Sequence, residues 1–434
     1  MAQGAQPRTA LAPLILIVAL FFLWGVANNL NDVLIPHLKK AFFLTDLQSG
    51  LVQSAFYLGY FFLALPAGLV MRRYGYKTAV IIGLLLFALG ALLFYPAAAA
   101  LRYPWFLAAL FVIASGLAFL ETSANPLITV LGDPAKAEQR LNLAQAFNPL
   151  GSITAVVVGR QFILSGVEPT QAQFAAMSPA QLATFQAHEA HSTQIPYLII
   201  AAIVLAWAGL VAVTRFPREA GKPAPDEADA ALPAGAAIAG LFARPRFLFG
   251  VVAQFFYVGA QVGVWSFMIR YAQHALPGIG EKAAAAYLSW SLVAFMAGRF
   301  IGTALMSRVS PPKLLAGFAA INVILTLVAV LVGGKVGLLA LASTSLFMSI
   351  MFPTLFASSL RGLGPLTKTG SSFLVMSIIG GAVLTAGMGA ISDASAITWA
   401  ILVPCVCFAV VGLFGVTAGK AATLDLETTP VGAH

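Results

Sequence analysis

Twelve apolar runs of about 20 residues punctuate this chain, and no other feature limits its possible folds so severely. A helix needs roughly 20 predominantly apolar residues to cross a bilayer. By that measure the spans fall at 13–35, 48–70, 78–97, 104–127, 143–165 and 195–214, then at 246–272, 283–305, 313–333, 336–361, 367–391 and 396–418. The chain is 60% hydrophobic and 9% charged, with a mean hydropathy of +0.91. A soluble domain carries about 25% charged residues. The expected fold is therefore an all-α membrane protein of twelve transmembrane helices. The first run is longer than a signal-peptide core and leads into polar residues, so it reads as a retained span.

An even number of spans places both termini on one side, and the cations choose the side. Loops and tails on the terminal side hold sixteen Lys and Arg; the opposite loops hold Lys39, Lys40, Arg102, Lys282 and Lys335. The positive-inside bias makes both termini cytoplasmic, in a cell inner membrane. The net charge of +9 thus encodes topology, and no nucleic acid is expected as a partner. Residues 215–245, charged and rich in Pro and Ala, read as a cytoplasmic linker between a six-helix bundle at 1–214 and another at 246–418. Residues 419–434 form a cytoplasmic tail. Two corresponding turns, "GLVMRRYGYK" and "TALMSRVSPPK", place a Met-x-Arg triplet and then a Lys at a cytoplasmic end. They suggest a six-plus-six duplication, the architecture of transporters that bind substrate near the midplane between parallel halves. Arg72, Arg73, Lys77, Arg308 and Lys313 are candidate gating residues in those turns.

Of fifteen acidic residues, Asp32 and Glu121 alone lie well inside spans, while Asp393 sits at the end of the eleventh. An acid at the centre of a membrane helix costs at least ~2.5 kcal/mol, so it should face protein or a watered cavity. Glu121 opens "ETSANP", with Asn125 one turn beyond on the same face and Pro126 freeing the carbonyl of Thr122. In "NLAQAFNPLGS", Pro149 frees the carbonyl of Gln145, and Asn142, Gln145 and Asn148 recur every three residues. The first span carries Asn28, Asn29, Asn31 and Asp32. Amides alone are ordinary helix glue. Two acids on separate helices ask for more, because a desolvated carboxyl holds its proton until water or a partner reaches it. Asp32 and Glu121 are therefore the proton-coupling candidates. Asn28, Asn29, Glu121, Asn125, Gln145 and Asn148 suit a neutral, hydroxyl-rich solute, because amides both donate and accept.

The second half supplies Gln261 and Trp265, four apart, with Tyr257 on the same face. An amide beside an aromatic face suits a sugar, though a Trp there also serves packing or anchoring. Arg299, near the cytoplasmic end of the eighth span, reads as a snorkelling side chain. "MSIMFPT" (348–354) corresponds to "ETSANP" but has no acid. Cys405 and Cys407 lie in one apolar run, implying neither a disulfide framework nor a metal site. With no G-x-x-x-x-G-K-[ST], H-E-x-x-H or G-x-S-x-G present, the chain is expected to be neither an ATP-driven pump nor an enzyme.

"FFLWGVANNLNDVLIPHLKKAFFLTDLQSGLVQSAFYLGYF", "LETSANPLITVLG", "RLNLAQAFNPLGS", "VGAQVGVWSFMIRY", "GRFIGT" and "GSSFLVMSIIGG" closely resemble the L-fucose:proton symporter family. That group of major facilitator transporters includes glucose/galactose and N-acetylglucosamine carriers. The resemblance implies alternating-access uptake of a hexose-type sugar, driven by a proton gradient without a cofactor, by a chain working as a monomer in the bilayer. It assigns Asp32 and Glu121 to proton coupling and sugar recognition, and Gln145 and Asn148 to the cavity. Where fucose permeases carry a polar residue and a Tyr, this chain has Met351 and Phe352, which implies a different hexose or an amino sugar. A facilitative uniporter and a non-transporting sugar receptor are the alternatives.

Overall fold

The computed structural model describes the backbone of residues 11–42, 46–131, 133–162, 177–216 and 233–428. Side chains are described there except at 11–12, 27–37, 39–40, 46–50, 53–54, 134, 156–162, 281–282 and 420–428. The described chain is helical, without strands. In order the helices are α1 (Leu11–Phe42), α2 (Asp46–Ala100), α3 (Tyr103–Val130), α4 (Ala137–Gln145), α5 (Phe147–Phe162), α6 (Pro179–Ser192), α7 (Gln194–Val213) and α8 (Ala234–Phe242). There follow α9 (Pro245–Ala275), α10 (Glu281–Leu305), α11 (Pro311–Leu331), α12 (Gly334–Met348), α13 (Met351–Leu360), α14 (Thr367–Met376), α15 (Gly380–Ala394), α16 (Ile397–Ala400) and α17 (Leu402–Thr428).

Among the described residues, nine helical stretches are long and apolar enough to cross a membrane. One of them, Ala55–Ala100, contains two spans. They meet at Gly75, whose φ of 85° and ψ of 169° only glycine adopts cheaply. With α1 and α5 where the first and fifth spans are expected, the count is twelve. The outward face is greasy: Val213, Leu331 and Trp290 are each more than 70% exposed. Water would penalise such a surface, whereas lipid tails solvate it. The protein is a multi-pass membrane protein.

Contacts divide the described chain into two compact units. One takes in the chain up to Leu127 and from Phe147 to residue 216; the other takes in Ile128–Ala146 and the chain from residue 233. Lipid supplies no hydrophobic drive between helices, so close backbone approach does the work. In the first unit α1 and α5 meet through glycine. A Cβ on Gly25 would lie 2.0 Å from the Asn148 carbonyl oxygen, and one on Gly151 would lie 2.0 Å from that of Phe22. Helices α2 and α7 lock through Phe94 and Tyr197, whose rings stack with centroids 3.7 Å apart. In the second unit α9 is central. Tyr257, Phe267 and Tyr271 on it are almost fully buried, and the Tyr271 hydroxyl donates to the Ala329 carbonyl. Several buried serines and threonines bond back to their own helices, as Ser123 does by donating to the Phe119 carbonyl at 2.6 Å.

Candidate functional site

Glu121 stands on α3 with 3% of its surface exposed. Its carboxyl lies against two neutral groups, the Tyr60 hydroxyl of α2 and the Asn125 amide one turn along α3. Tyr60 is held in turn, since the Trp24 indole N–H donates to its oxygen at 3.1 Å. Trp24 stacks on Phe21, and Phe56 packs against Tyr60. Three helices, α1, α2 and α3, thus position one carboxyl. The sequence pointed to Glu121 and Asn125; Tyr60 and Trp24 look like ordinary aromatic lining until the chain is folded. Asn28, Asn29, Asn31 and Asp32 lie on α1, but their side chains fall outside the described residues.

The evenly spaced amides of the fifth span do not share one continuous helix. The backbone breaks at Ala146, between α4 and α5, because Pro149 cannot donate to the Gln145 carbonyl. Asn142 and Gln145 belong to the second unit and Asn148 to the first. Asn142 is fully buried; its amide donates to the Glu138 carbonyl at 2.8 Å and to the Thr354 hydroxyl at 3.1 Å. Gln145 is also buried and lies against Arg299. Asn148 is half-buried, and its carbonyl accepts from the Ser152 hydroxyl at 3.2 Å.

Arg299 is where the sequence reading fails. A snorkelling arginine would carry its guanidinium to water, yet this one is 4% exposed. It donates through Nε to the Ser349 carbonyl at 2.9 Å and through Nη1 to the Gln145 carbonyl at 2.7 Å. Its guanidinium also lies over the Phe295 ring, 4.8 Å from the centroid. Desolvation is offset by carbonyl dipoles, so the side chain gains nothing by reaching outward.

On α9, Gln261 and Trp265 are both half-buried. The Trp265 indole N–H donates to the Ser345 hydroxyl at 3.0 Å, and its ring meets Phe295 edge-on at 5.1 Å. Ser345 also shares a hydrogen bond with Ser291. The Tyr257 hydroxyl is spent on the Met348 carbonyl at 3.0 Å, leaving its ring against Phe352. Met351 is buried and Phe352 half-buried, so the α12–α13 break presents apolar side chains.

The two turns singled out by their cations differ. In the first, Lys77 donates to the Ala212 and Thr214 carbonyls at 2.7 and 3.0 Å, capping the negative end of α7. Arg72 is buried and Arg73 is exposed beside the Tyr74 ring. In the second, Arg308 and Lys313 are exposed, as is Asp393 at the end of α15. Sequence reasoning overlooked a third charged group. Arg140 grips the end of α3 through the carbonyls of Ile128 and Thr129, at 3.2 and 2.9 Å, and that of Asp133. Partial burial lowers its pKa, opposed by the charges of Asp133 and Glu138. Glu138, almost fully buried, pairs with Arg361. These side chains sit in loops and helix ends, where no hydrophobic period marks them.

Comparison with known proteins places this architecture. The sequence profile of the Major Facilitator Superfamily matches residues 15–372. The chain is 48% identical to the L-fucose-proton symporter of Escherichia coli strain K12 over 425 residues, covering 97% of this chain and 96% of that protein. It is 38% identical to a glucose/galactose transporter of Brucella abortus over 406 residues, covering 93% of each. A crystal structure of the Major Facilitator Superfamily transporter FucP in the outward conformation superposes with a TM-score of 0.88 at 47% identity, covering 95% of this chain and 99% of that one. The chain belongs to the Major Facilitator Superfamily, within the L-fucose:proton symporter family.

Proposed function

We propose that the protein takes up a hexose-type sugar together with a proton by alternating access. The observation that carries this reading is Glu121: a carboxyl inside a span, 3% exposed, whose polar neighbours Tyr60 and Asn125 are neutral. An isolated buried carboxylate is costly in lipid, whereas a carboxyl that gains and loses its proton during a cycle has a reason to be there. Similarity to transporters named for fucose and for glucose/galactose supports a hexose as the cargo.

In this reading Glu121 exchanges the proton as sugar binds or leaves, and Asp32 links that proton to the conformational change. Asn28, Asn29, Asn125, Gln145, Asn148, Gln261 and Trp265 join Glu121 in binding the sugar. Of the candidate cargoes fucose, glucose, galactose and an amino sugar, the apolar face of Met351 and Phe352 argues against fucose itself. The turns bearing Arg72, Arg73, Lys77, Arg308 and Lys313 act as gates. The protein sits in the inner membrane with both termini cytoplasmic and works as a monomer. Bundles 1–214 and 246–418, linker 215–245 and tail 419–434 are its working parts. The proton gradient supplies the energy without a cofactor. Sugar works by binding the occluded state more tightly than the open ones.

Purified protein should respond in a thermal-shift screen over hexoses, deoxyhexoses and N-acetylhexosamines. The sugar that stabilises it should then accumulate in proteoliposomes only when the outside is more acidic. Equal uptake with and without the pH gradient would identify a uniporter, and binding without counterflow a receptor.

A further inference from the structure

The guanidinium of Arg299 engages the two carbonyls that prolines have released. Pro149 lacks the N–H that would bond the Gln145 carbonyl, and Pro353 lacks the one that would bond the Ser349 carbonyl. Both carbonyls lie at helix breaks, between α4 and α5 and between α12 and α13. Each stands at the negative end of the helix before it. Arg299 donates to both, at 2.7 and 2.9 Å, and its Nη1 is also 3.4 Å from the side-chain Oε1 of Gln145. A fork-shaped donor set suits two acceptors at a fixed separation, a task lysine's single ammonium does less well. The ion is held by oxygen dipoles, with the Phe295 ring beneath it. Tyr257 closes the adjoining carbonyl, that of Met348.

We infer that Arg299 is a positioning residue for sugar recognition: it fixes the Gln145 amide and ties it to the break in the tenth span. The same fork makes the α12–α13 break sense whether Gln145 is engaged, since both hang on one ion. Restoring the N–H with Pro149→Ala would give the Gln145 carbonyl a competing donor and loosen the fork without touching Arg299. This inference rests on the proposal that Gln145 binds sugar.

A double-mutant cycle on sugar affinity in purified protein, scored only for monodisperse variants, is the test. Gln145→Ala should weaken affinity about tenfold or more, the size of one well-made hydrogen bond to a charged or tightly held group. Arg299→Gln should weaken it comparably in the wild-type background and have no further effect on Gln145→Ala. Arg299→Lys should recover part of the loss, and Pro149→Ala should reproduce part of it. Additive losses from Arg299→Gln and Gln145→Ala would overturn the inference while leaving Gln145 in the site. An unchanged affinity in Gln145→Ala would remove Gln145 from the site and the inference with it. If Arg299→Gln does not purify as a monodisperse protein, Pro149→Ala decides. Wild-type affinity there would overturn the inference, and a loss absent from the Gln145→Ala background would support it.

Discussion

Replacing Glu121 with Gln should abolish uphill sugar accumulation while leaving downhill exchange largely intact. A one-proton symporter accumulates its solute about tenfold per unit of pH gradient, because one pH unit is worth about 1.4 kcal/mol per proton. The Glu121→Gln ratio should fall to about one. The substitution is conservative in shape: the Gln carbonyl still accepts from the Tyr60 hydroxyl, so the Trp24–Tyr60 arrangement has no reason to collapse. What disappears is the titrating proton. Radiolabelled-sugar counterflow and gradient-driven uptake, measured on the same proteoliposomes, separate the two capacities. Retained tenfold accumulation would take Glu121 out of the coupling step, and loss of counterflow as well would make it a binding residue alone.

The second large effect belongs to the α1–α5 contact. Gly25→Ala or Gly151→Ala places a methyl group 2.0 Å from a backbone carbonyl oxygen, a distance no side-chain rotation relieves. The helices must part, at a cost of at least ~1–3 kcal/mol by the behaviour of overpacked cores. A drop of several degrees in melting temperature in detergent is expected for each. Gly25→Ala meets the carbonyl of Asn148 itself, so sugar affinity should fall along with stability. Gly209→Ala is the control: it lies within α7 with nothing within 4 Å of the added atom. That change should be neutral or stabilise by up to ~1 kcal/mol through helix propensity. Unchanged melting in Gly25→Ala and Gly151→Ala would mean that α1 and α5 do not approach as described.

Hydropathy and charge made much of this protein legible before folding. Spans declare themselves because lipid forbids unpaired backbone, so each crossing must be a helix of fixed minimum length. Glu121 stood out by elimination, since an acid in a span is costly anywhere. The proline rule located, from sequence alone, the Gln145 carbonyl stripped of its helical donor. The carbonyl's partner was hidden, because it comes from α10, more than 150 residues away. The same rule applied to Pro353 would have exposed the Ser349 carbonyl, and Arg299 is one of three basic residues that lie at least two positions from either end of an expected span, with Arg160 and Arg270. Asking which cation meets two free carbonyls would have been a usable signal. The stripe of Asn142, Gln145 and Asn148 misled for a related reason. Helical spacing presumes an unbroken helix, and the proline that freed a carbonyl also broke the stripe. Glu138, Arg140 and Arg361 carried no signal, because charges at loops and helix ends usually serve only solubility.

If sugar and proton cross together, the pH of a lightly buffered suspension of proteoliposomes must respond when the screened sugar is added outside, with no gradient imposed. Cotransport predicts a transient alkalinisation of the medium that follows sugar entry, is abolished by a protonophore and is absent from Glu121→Gln. Sugar entry at the normal rate with no movement of protons would contradict the account.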